Sequence, residues 1–238
     1  MKFIHILLGT VALVSPLAAQ APDADAILAG ARLAATLTRI DEGLEGTLTQ
    51  GRRKIPITLF LKGKDIQFQF TEDGKLRIFH MRLGDEKFEL FEMANGKQMN
   101  FPPAKLVEPI AGTDLTYEDL ALRFFYWPNP KLEGTEDVGG QKCHRLLLDK
   151  PKNATGRYQR VYVWVHSKFG AFMRIRGYDD NRGLLKEFQV EDVMQVSDKV
   201  WVLEKMQVAT HDPKTGRRIS ITDVIFKKTF GKKLKGIR

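Results

Sequence analysis

Residues 55–70 read IPITLFLKGKDIQFQF. Ile55, Ile57, Leu59 and Leu61 fall on one side of an extended chain. Lys62-Gly63-Lys64 offers a turn, and Ile66, Phe68 and Phe70 then alternate with Gln67 and Gln69. A period of two on both sides of a turn is the pattern of a β-hairpin with one buried face. The same pattern continues outward. Thr71 to Gly74 supplies the next turn, Phe79, Met81 and Leu83 share a face of 77–83, and 88–91 adds a strand that includes Phe88 and Leu90 and is closed by Asn95-Gly96. Alternation resumes at 142–149, 158–166, 171–178, 184–193, 200–208 and 218–226, with Asn, Asp or Gly turns at 152–156, 179–183 and 212–216. The expected architecture is mainly β (α+β): a meander of about ten antiparallel strands. A sheet of that size curls, and an apolar inner face too roomy for its own side chains becomes a ligand cavity.

Two segments depart from this period. Residues 24–37 place Ile27, Leu28, Ala31, Ala34 and Leu37 on one helical side, with Asp23 or Asp25 available as a cap. The second departure begins at Pro102 and Pro103, whose missing amide donors end regular pairing. Thr116 with Asp119 three residues on resembles a capping box, and Leu120, Leu122, Phe124 and Phe125 follow before Trp127-Pro128 ends the predicted helix. This aromatic helix reads either as a lid over a sheet-lined cavity or as a plug in a barrel mouth.

The first 21 residues have the order of a cleaved signal peptide: Lys2, an apolar run from Phe3 to Val14, Pro16, then small residues through Ala21. Cleavage after Ala19 or Ala21 and a soluble, exported product are expected, because the apolar run is shorter than the roughly 20 residues that span a bilayer. Residues 22–226 are expected to form one domain, as all-β chains of this length commonly do. Residues 227–238 form a basic tail in which Lys227, Lys228, Lys232, Lys233, Lys235 and Arg238 meet no acid, and they supply much of the formal charge of +9. Such a tail is either a solvated end or an attractor of anionic lipid or an acidic partner. Nucleic acid is not expected as a partner of an exported protein.

The search for chemistry is largely negative. Cys143 is the single cysteine, so no internal disulfide can form, and its neighbours Leu146, Leu147 and Leu148 favour a packed thiol over a reactive one. His80, His144, His166 and His211 lie in separate segments without metal-ligand spacing. Asp179-Asp180-Asn181 lacks the spacing of a calcium loop, and Asn153-Ala154-Thr155 is a weak glycosylation acceptor that its turn position explains. No nucleophile elbow, phosphate loop or dinucleotide fingerprint occurs. The sequence therefore predicts a binding protein rather than an enzyme, with no catalytic residue, metal or cofactor.

Tyr117-Glu118-Asp119-Leu120, Arg123-Phe124, Tyr126-Trp127-Pro128, Gly140, Cys143 and Leu146-Leu147-Leu148 resemble outer-membrane lipoprotein-sorting proteins of the LolA-like superfamily. So do Tyr162-Val163-Trp164-Val165, Arg174, Tyr178-Asp179, Gly183-Leu184-Leu185-Lys186, Asp192-Val193, Trp201, Met206 and Thr215-Gly216-Arg217-Arg218. The resemblance implies an unclosed, curved β-barrel with helices over its open side and an interior that receives acyl chains. Candidate lining residues are then Leu59, Leu61, Phe68, Phe70, Phe79, Met81, Phe88 and Leu90, with Leu120, Phe124, Phe125 and Trp127 in the lid. It implies a carrier that shuttles lipoproteins or another lipid from an inner-membrane transporter to an outer-membrane acceptor. A lipid sensor that signals to a membrane-bound anti-sigma protein, or a structural envelope protein with a filled core, are the alternatives on the same fold.

Overall fold

The computed structural model describes residues 22–36, 40–83, 88–94, 97–197 and 200–227. The predicted leader (1–21), the Asn95-Gly96 turn and residues 228–238 of the basic tail lie outside the described residues. Thirteen strands form one antiparallel sheet: β1 (Ile40–Gln50), β2 (Arg53–Lys62), β3 (Asp65–Glu72), β4 (Lys75–Leu83), β5 (Phe88–Ala94), β6 (Lys97–Asn100), β7 (Lys131–Val138), β8 (Gln141–Asp149), β9 (Arg160–His166), β10 (Phe172–Tyr178), β11 (Leu184–Ser197), β12 (Val200–His211) and β13 (Arg218–Lys227). Their order is β6-β5-β4-β3-β2-β1-β13-β12-β11-β10-β9-β8-β7. Each half is a meander. The halves join where β1 pairs with β13, from Glu45 opposite Lys227 to Thr49 opposite Asp223.

The expectation of about ten strands is corrected to thirteen, and the three additions, β1, β6 and β7, all lack an unbroken apolar alternation. β6 is exposed throughout and β7 is exposed over most of its length, because both are sheet edges. A strand with no buried face has no reason to alternate. β1 does bury Leu44 and Leu48, but the inward position between them is Gly46. A Cβ there would stand 2.6 Å from the Phe226 ring and 2.8 Å from the Ile225 carbonyl oxygen, so the close seam with β13 removes the side chain that would have completed the pattern.

Laid flat, thirteen strands would be roughly 58 Å across. Yet Leu48 of β1, Phe79 of β4, Leu146 of β8 and Phe188 of β11 belong to one apolar core, which requires the sheet to curve around it. It does not close: β6 and β7 are free edges, and residues 101–130 connect them.

That connection holds two 3-10 turns, Pro103–Val107 and Ile110–Gly112, then helix α2 (Tyr117–Ala121) and a further 3-10 turn, Arg123–Tyr126. Helix α1 precedes β1 over Ala24–Thr36; Leu37, the last residue expected in it, lies outside the described residues. It lies against β8 and β9 and buries Leu28 and Ala31; Asp23 Oδ1 accepts the Asp25 amide at its start (3.1 Å).

The single helix expected over 116–127 is corrected. Its capping box forms as read, with Thr116 Oγ1 accepting the Asp119 amide (3.3 Å) and Asp119 Oδ2 accepting the Thr116 amide (2.8 Å). However, Leu122 turns left-handed at φ 45°, ψ 37° and splits the segment. A non-glycine residue pays about 1–2 kcal/mol for that conformation. The break aims Leu120, Phe124, Phe125 and Trp127 inward together, and all four are buried.

Candidate functional site

Strand register places the candidate lining residues in rows across the sheet. Leu59 faces Phe68 and Phe68 faces Phe79, while Leu61 faces Ile66, Ile66 faces Met81 and Met81 faces Leu90. Ile57 opposite Phe70 adds a third row. Leu61, Phe68, Phe70, Phe79 and Met81 are buried, and Leu59 and Leu90 are half-buried against the same core. Phe88 begins β5, and its side chain lies outside the described ones.

The cover fills the space these rows face. Tyr117 stands 5.2 Å from Phe79 and 6.0 Å from Phe70 between ring centroids, and Phe101 stands 4.9 Å from Phe79. The lid residues meet the other half of the sheet: Phe124 packs on Tyr158 (6.2 Å) and Phe125 on Phe172 (5.9 Å). The interior is therefore occupied by the protein's own aromatic rings. Two surface clefts, of about 260 and 310 Å³, are lined mostly by polar residues, with none of the candidate lining or lid residues among them.

The second cleft borders a buried polar cluster that ties the cover to the sheet. Asp114, just before α2, accepts hydrogen bonds from Gln50 of β1 (2.8 Å), Thr210 of β12 (2.5 Å), and Ser220 and Thr222 of β13, the last at 2.8 Å. Burial works to raise the Asp114 pKa, but these four donors together hold it below its usual value. Lys186 of β11, with a side chain only 5% exposed, donates to the Asp114 carbonyl and to Asp119 Oδ2 (3.0 Å). Asp119, fully buried, also accepts the Tyr158 hydroxyl (2.5 Å). Burial and the adjacent carboxylate push the Tyr158 phenol well above its ordinary pKa.

Next to this cluster, Glu118 accepts the Arg157 amide (2.9 Å), and burial raises its carboxyl to about 7. Gly156 makes room for it: a Cβ there would come within 1.8 Å of the Glu118 carboxylate.

On the other half of the sheet, Arg53 of β2 donates to the carbonyls of Ala111 and Gly112 (both 3.1 Å), and Glu72 of β3 accepts the Ala111 amide (3.0 Å). The cover is thus held by paired polar groups at one end, and elsewhere by apolar contact and the Lys105–Glu92 ion pair (2.8 Å). The paired groups fix backbone; their geometry is that of a clamp rather than of a nucleophile and base. Among the described residues no group of three His, Cys, Asp or Glu could hold a metal ion, and no helix is long and apolar enough to cross a membrane.

A family model described as "Uncharacterized protein" matches residues 76–234, more than half the chain. The chain belongs to this family. Solved structures place its architecture: a LolA superfamily protein from Nitrosomonas europaea is 16% identical, with a TM-score of 0.62 over 92% of this chain and 96% of that one. A DUF1329 family protein from Desulfovibrio piger is 17% identical, with a TM-score of 0.65 over 86% and 90%. A domain provisionally described as an outer membrane lipoprotein-sorting protein, from Vibrio parahaemolyticus, is 17% identical, with a TM-score of 0.59 over 80% and 85%. No curated protein matches the chain. At these identities the likeness establishes the LolA-like fold, in accord with the sequence resemblance.

Within that LolA-like fold, sequence reading did not single out the clamp. Its signal was nevertheless present. Lys186 sits at an inward position that continues through Phe188, and Ser220 and Thr222 at positions that continue through Val224 and Phe226. Polar residues in an apolar row need partners, and Asp114 and Asp119 are those partners.

Proposed function

We propose that this protein is a periplasmic carrier that binds lipid acyl chains between its sheet and its cover and moves lipoproteins, or another lipid, from the inner to the outer membrane. The observation that carries this reading is the continuous apolar body shared by the open sheet and residues 101–130, whose cover is clamped at one end by polar groups. An acyl chain would enter by displacing Leu120, Phe124, Phe125 and Trp127 from the rows that include Leu59, Leu61, Phe68, Phe70, Phe79, Met81, Phe88 and Leu90. A buried methylene is worth about 0.8 kcal/mol against water, so a chain passing from bilayer to apolar interior avoids most of the cost of entering solvent. Direction then comes from an inner-membrane transporter at loading and an outer-membrane acceptor at release.

The filled interior also favours a second reading, a structural envelope protein that exchanges nothing. Mass spectrometry of the gently purified protein separates the two, since co-purifying lipid or lipoprotein supports the carrier. Depletion followed by membrane fractionation then tests transport: lipoproteins should accumulate in the inner membrane, and an unchanged distribution would refute the shuttle.

A further inference from the structure

The cleft of about 310 Å³ beside the clamp is lined by three charged side chains, Asp114, Arg157 and Lys186, together with the polar groups of Gln50, Thr210 and Ser220. Strand register brings several of them together. Lys186 faces Thr210 across β11 and β12, and Thr210 faces Ser220 across β12 and β13, so the three form one polar row. The next row inward, Phe188, Val208 and Thr222, is buried, and the row after it carries Met206, Val224 and Leu48 into the apolar core. Rows stand two residues apart, roughly 7 Å along each strand. The cleft is therefore the polar end of the same inward face that continues into the apolar interior.

The hydrogen bonds of the clamp leave a definite surplus in this cleft. Asp114 Oδ1 accepts from Thr210 and Ser220, and Oδ2 from Gln50 and Thr222, which fills the roughly four acceptor sites of a carboxylate. Gln50, Thr210 and Ser220 thus spend their protons on Asp114, and their own oxygens accept nothing from the described residues. Lys186 uses two of its three N–H groups, on the Asp114 carbonyl and Asp119 Oδ2, and keeps one. Arg157 is exposed, and its guanidinium meets no hydrogen-bond or ion-pair partner among the described residues; only its backbone amide is engaged, by Glu118 (2.9 Å). What stays open is a pair of cationic donors beside a group of neutral oxygen acceptors.

We infer that this cleft binds the headgroup of a glycerophospholipid, with Arg157 and Lys186 on the phosphate and Gln50, Thr210 and Ser220 accepting headgroup hydroxyls, while the acyl chains follow the inward rows. The inference rests on the carrier reading and narrows its cargo to a phospholipid whose headgroup bears hydroxyls. Hydrogen bonds from cations to phosphate are charge-assisted and stronger than neutral ones. The cleft volume lies at the lower end of the roughly 300–1,000 Å³ of small-ligand sites, enough for a headgroup without its chains.

The test uses the full chain and lipids with identical chains: dioleoylphosphatidylglycerol, dioleoylphosphatidylmethanol, which keeps the phosphodiester and lacks the hydroxyls, and dioleoylglycerol, which lacks both. Lipid retained by the protein after incubation with vesicles of each is measured by mass spectrometry, and calorimetry follows glycerol phosphate and inorganic phosphate alone. Phosphatidylglycerol should be retained roughly tenfold over dioleoylglycerol, the factor equivalent to 1.4 kcal/mol at 25 °C, and severalfold over phosphatidylmethanol. Arg157→Gln should lose most of the tenfold preference and Arg157→Lys should keep part of it. Both variants should match wild type in circular dichroism and thermal midpoint, because the guanidinium has no partner in the fold. Equal retention of the three lipids, or an undiminished preference in Arg157→Gln, would overturn the headgroup site and leave the carrier reading standing. Binding of glycerol phosphate or inorganic phosphate as tight as that of phosphatidylglycerol would mark a site for free phosphate and overturn it as well, whereas retention of no lipid at all would sink both.

Discussion

Lys186→Met tests whether the polar clamp holds the cover down. The ammonium bridges the Asp114 carbonyl and the Asp119 carboxylate, and its removal leaves Asp119 as a fully buried charge with only the Tyr158 hydroxyl and the backbone to answer it. Breaking a buried pair from one side costs about 3–5 kcal/mol, a large fraction of the roughly 5–15 kcal/mol that stabilises a typical domain. In a domain of this size that corresponds to a fall in Tm of roughly 6–20 °C. Urea unfolding followed by circular dichroism measures the loss, and hydrogen exchange locates it, with faster exchange expected at the amides of 114–121 before the sheet itself. Adding Asp119→Asn to Lys186→Met removes the stranded charge and should recover part of the stability. A loss below about 1 kcal/mol, or strictly additive effects of the two substitutions, would refute the clamp.

Glu118 should make stability fall as pH rises. Its folded pKa of about 7 lies above the unfolded value of 4.5, so the native state binds the extra proton between those values, and stability drops through that window by up to about 3 kcal/mol. Glu118→Gln should flatten this part of the curve, measured as the difference between variant and wild-type denaturation across pH 4.5 to 7. Phe124→Ala empties part of the cover and should cost about 3–5 kcal/mol; under the carrier reading it should also raise the uptake of a fluorescent fatty acid, and unchanged uptake in the folded variant would count against entry beneath the lid. Gly46→Ala forces a methyl group against Phe226 and the Ile225 carbonyl, so chemical denaturation should show a loss of about 1–3 kcal/mol.

The parts of the fold that were legible in the sequence are those where one face carries an unbroken apolar row, even though Phe60, Gln67 and Ile78 on the opposite face are also shielded. In β2, β3 and β4 the sequence period matches the inward rows, and so the candidate lining residues could be named before any contact was known. The edge strands β6 and β7 have no such contrast, and in β1 a glycine interrupts the row at the seam. The capping box of α2 was legible because it is local: donor and acceptor are three residues apart. The clamp was not, since Asp114 meets Thr210, Ser220 and Thr222 some hundred residues away. That pairing depends on how the strands are ordered in space. The break at Leu122 escaped for a related reason, because packing of four lid residues overrides a helical period that is acceptable in isolation.

The seam between β1 and β13 has a consequence for how the molecule assembles. It joins the first of the described strands to the last, Thr49 to Asp223, in the middle of the sheet. Until β13 emerges, β1 has one hydrogen-bonding edge unmatched and the two meanders have no common centre. Contacts so distant along the chain carry a loop-closure cost that slows folding, so the native structure should form only after synthesis of the chain has passed its final strand.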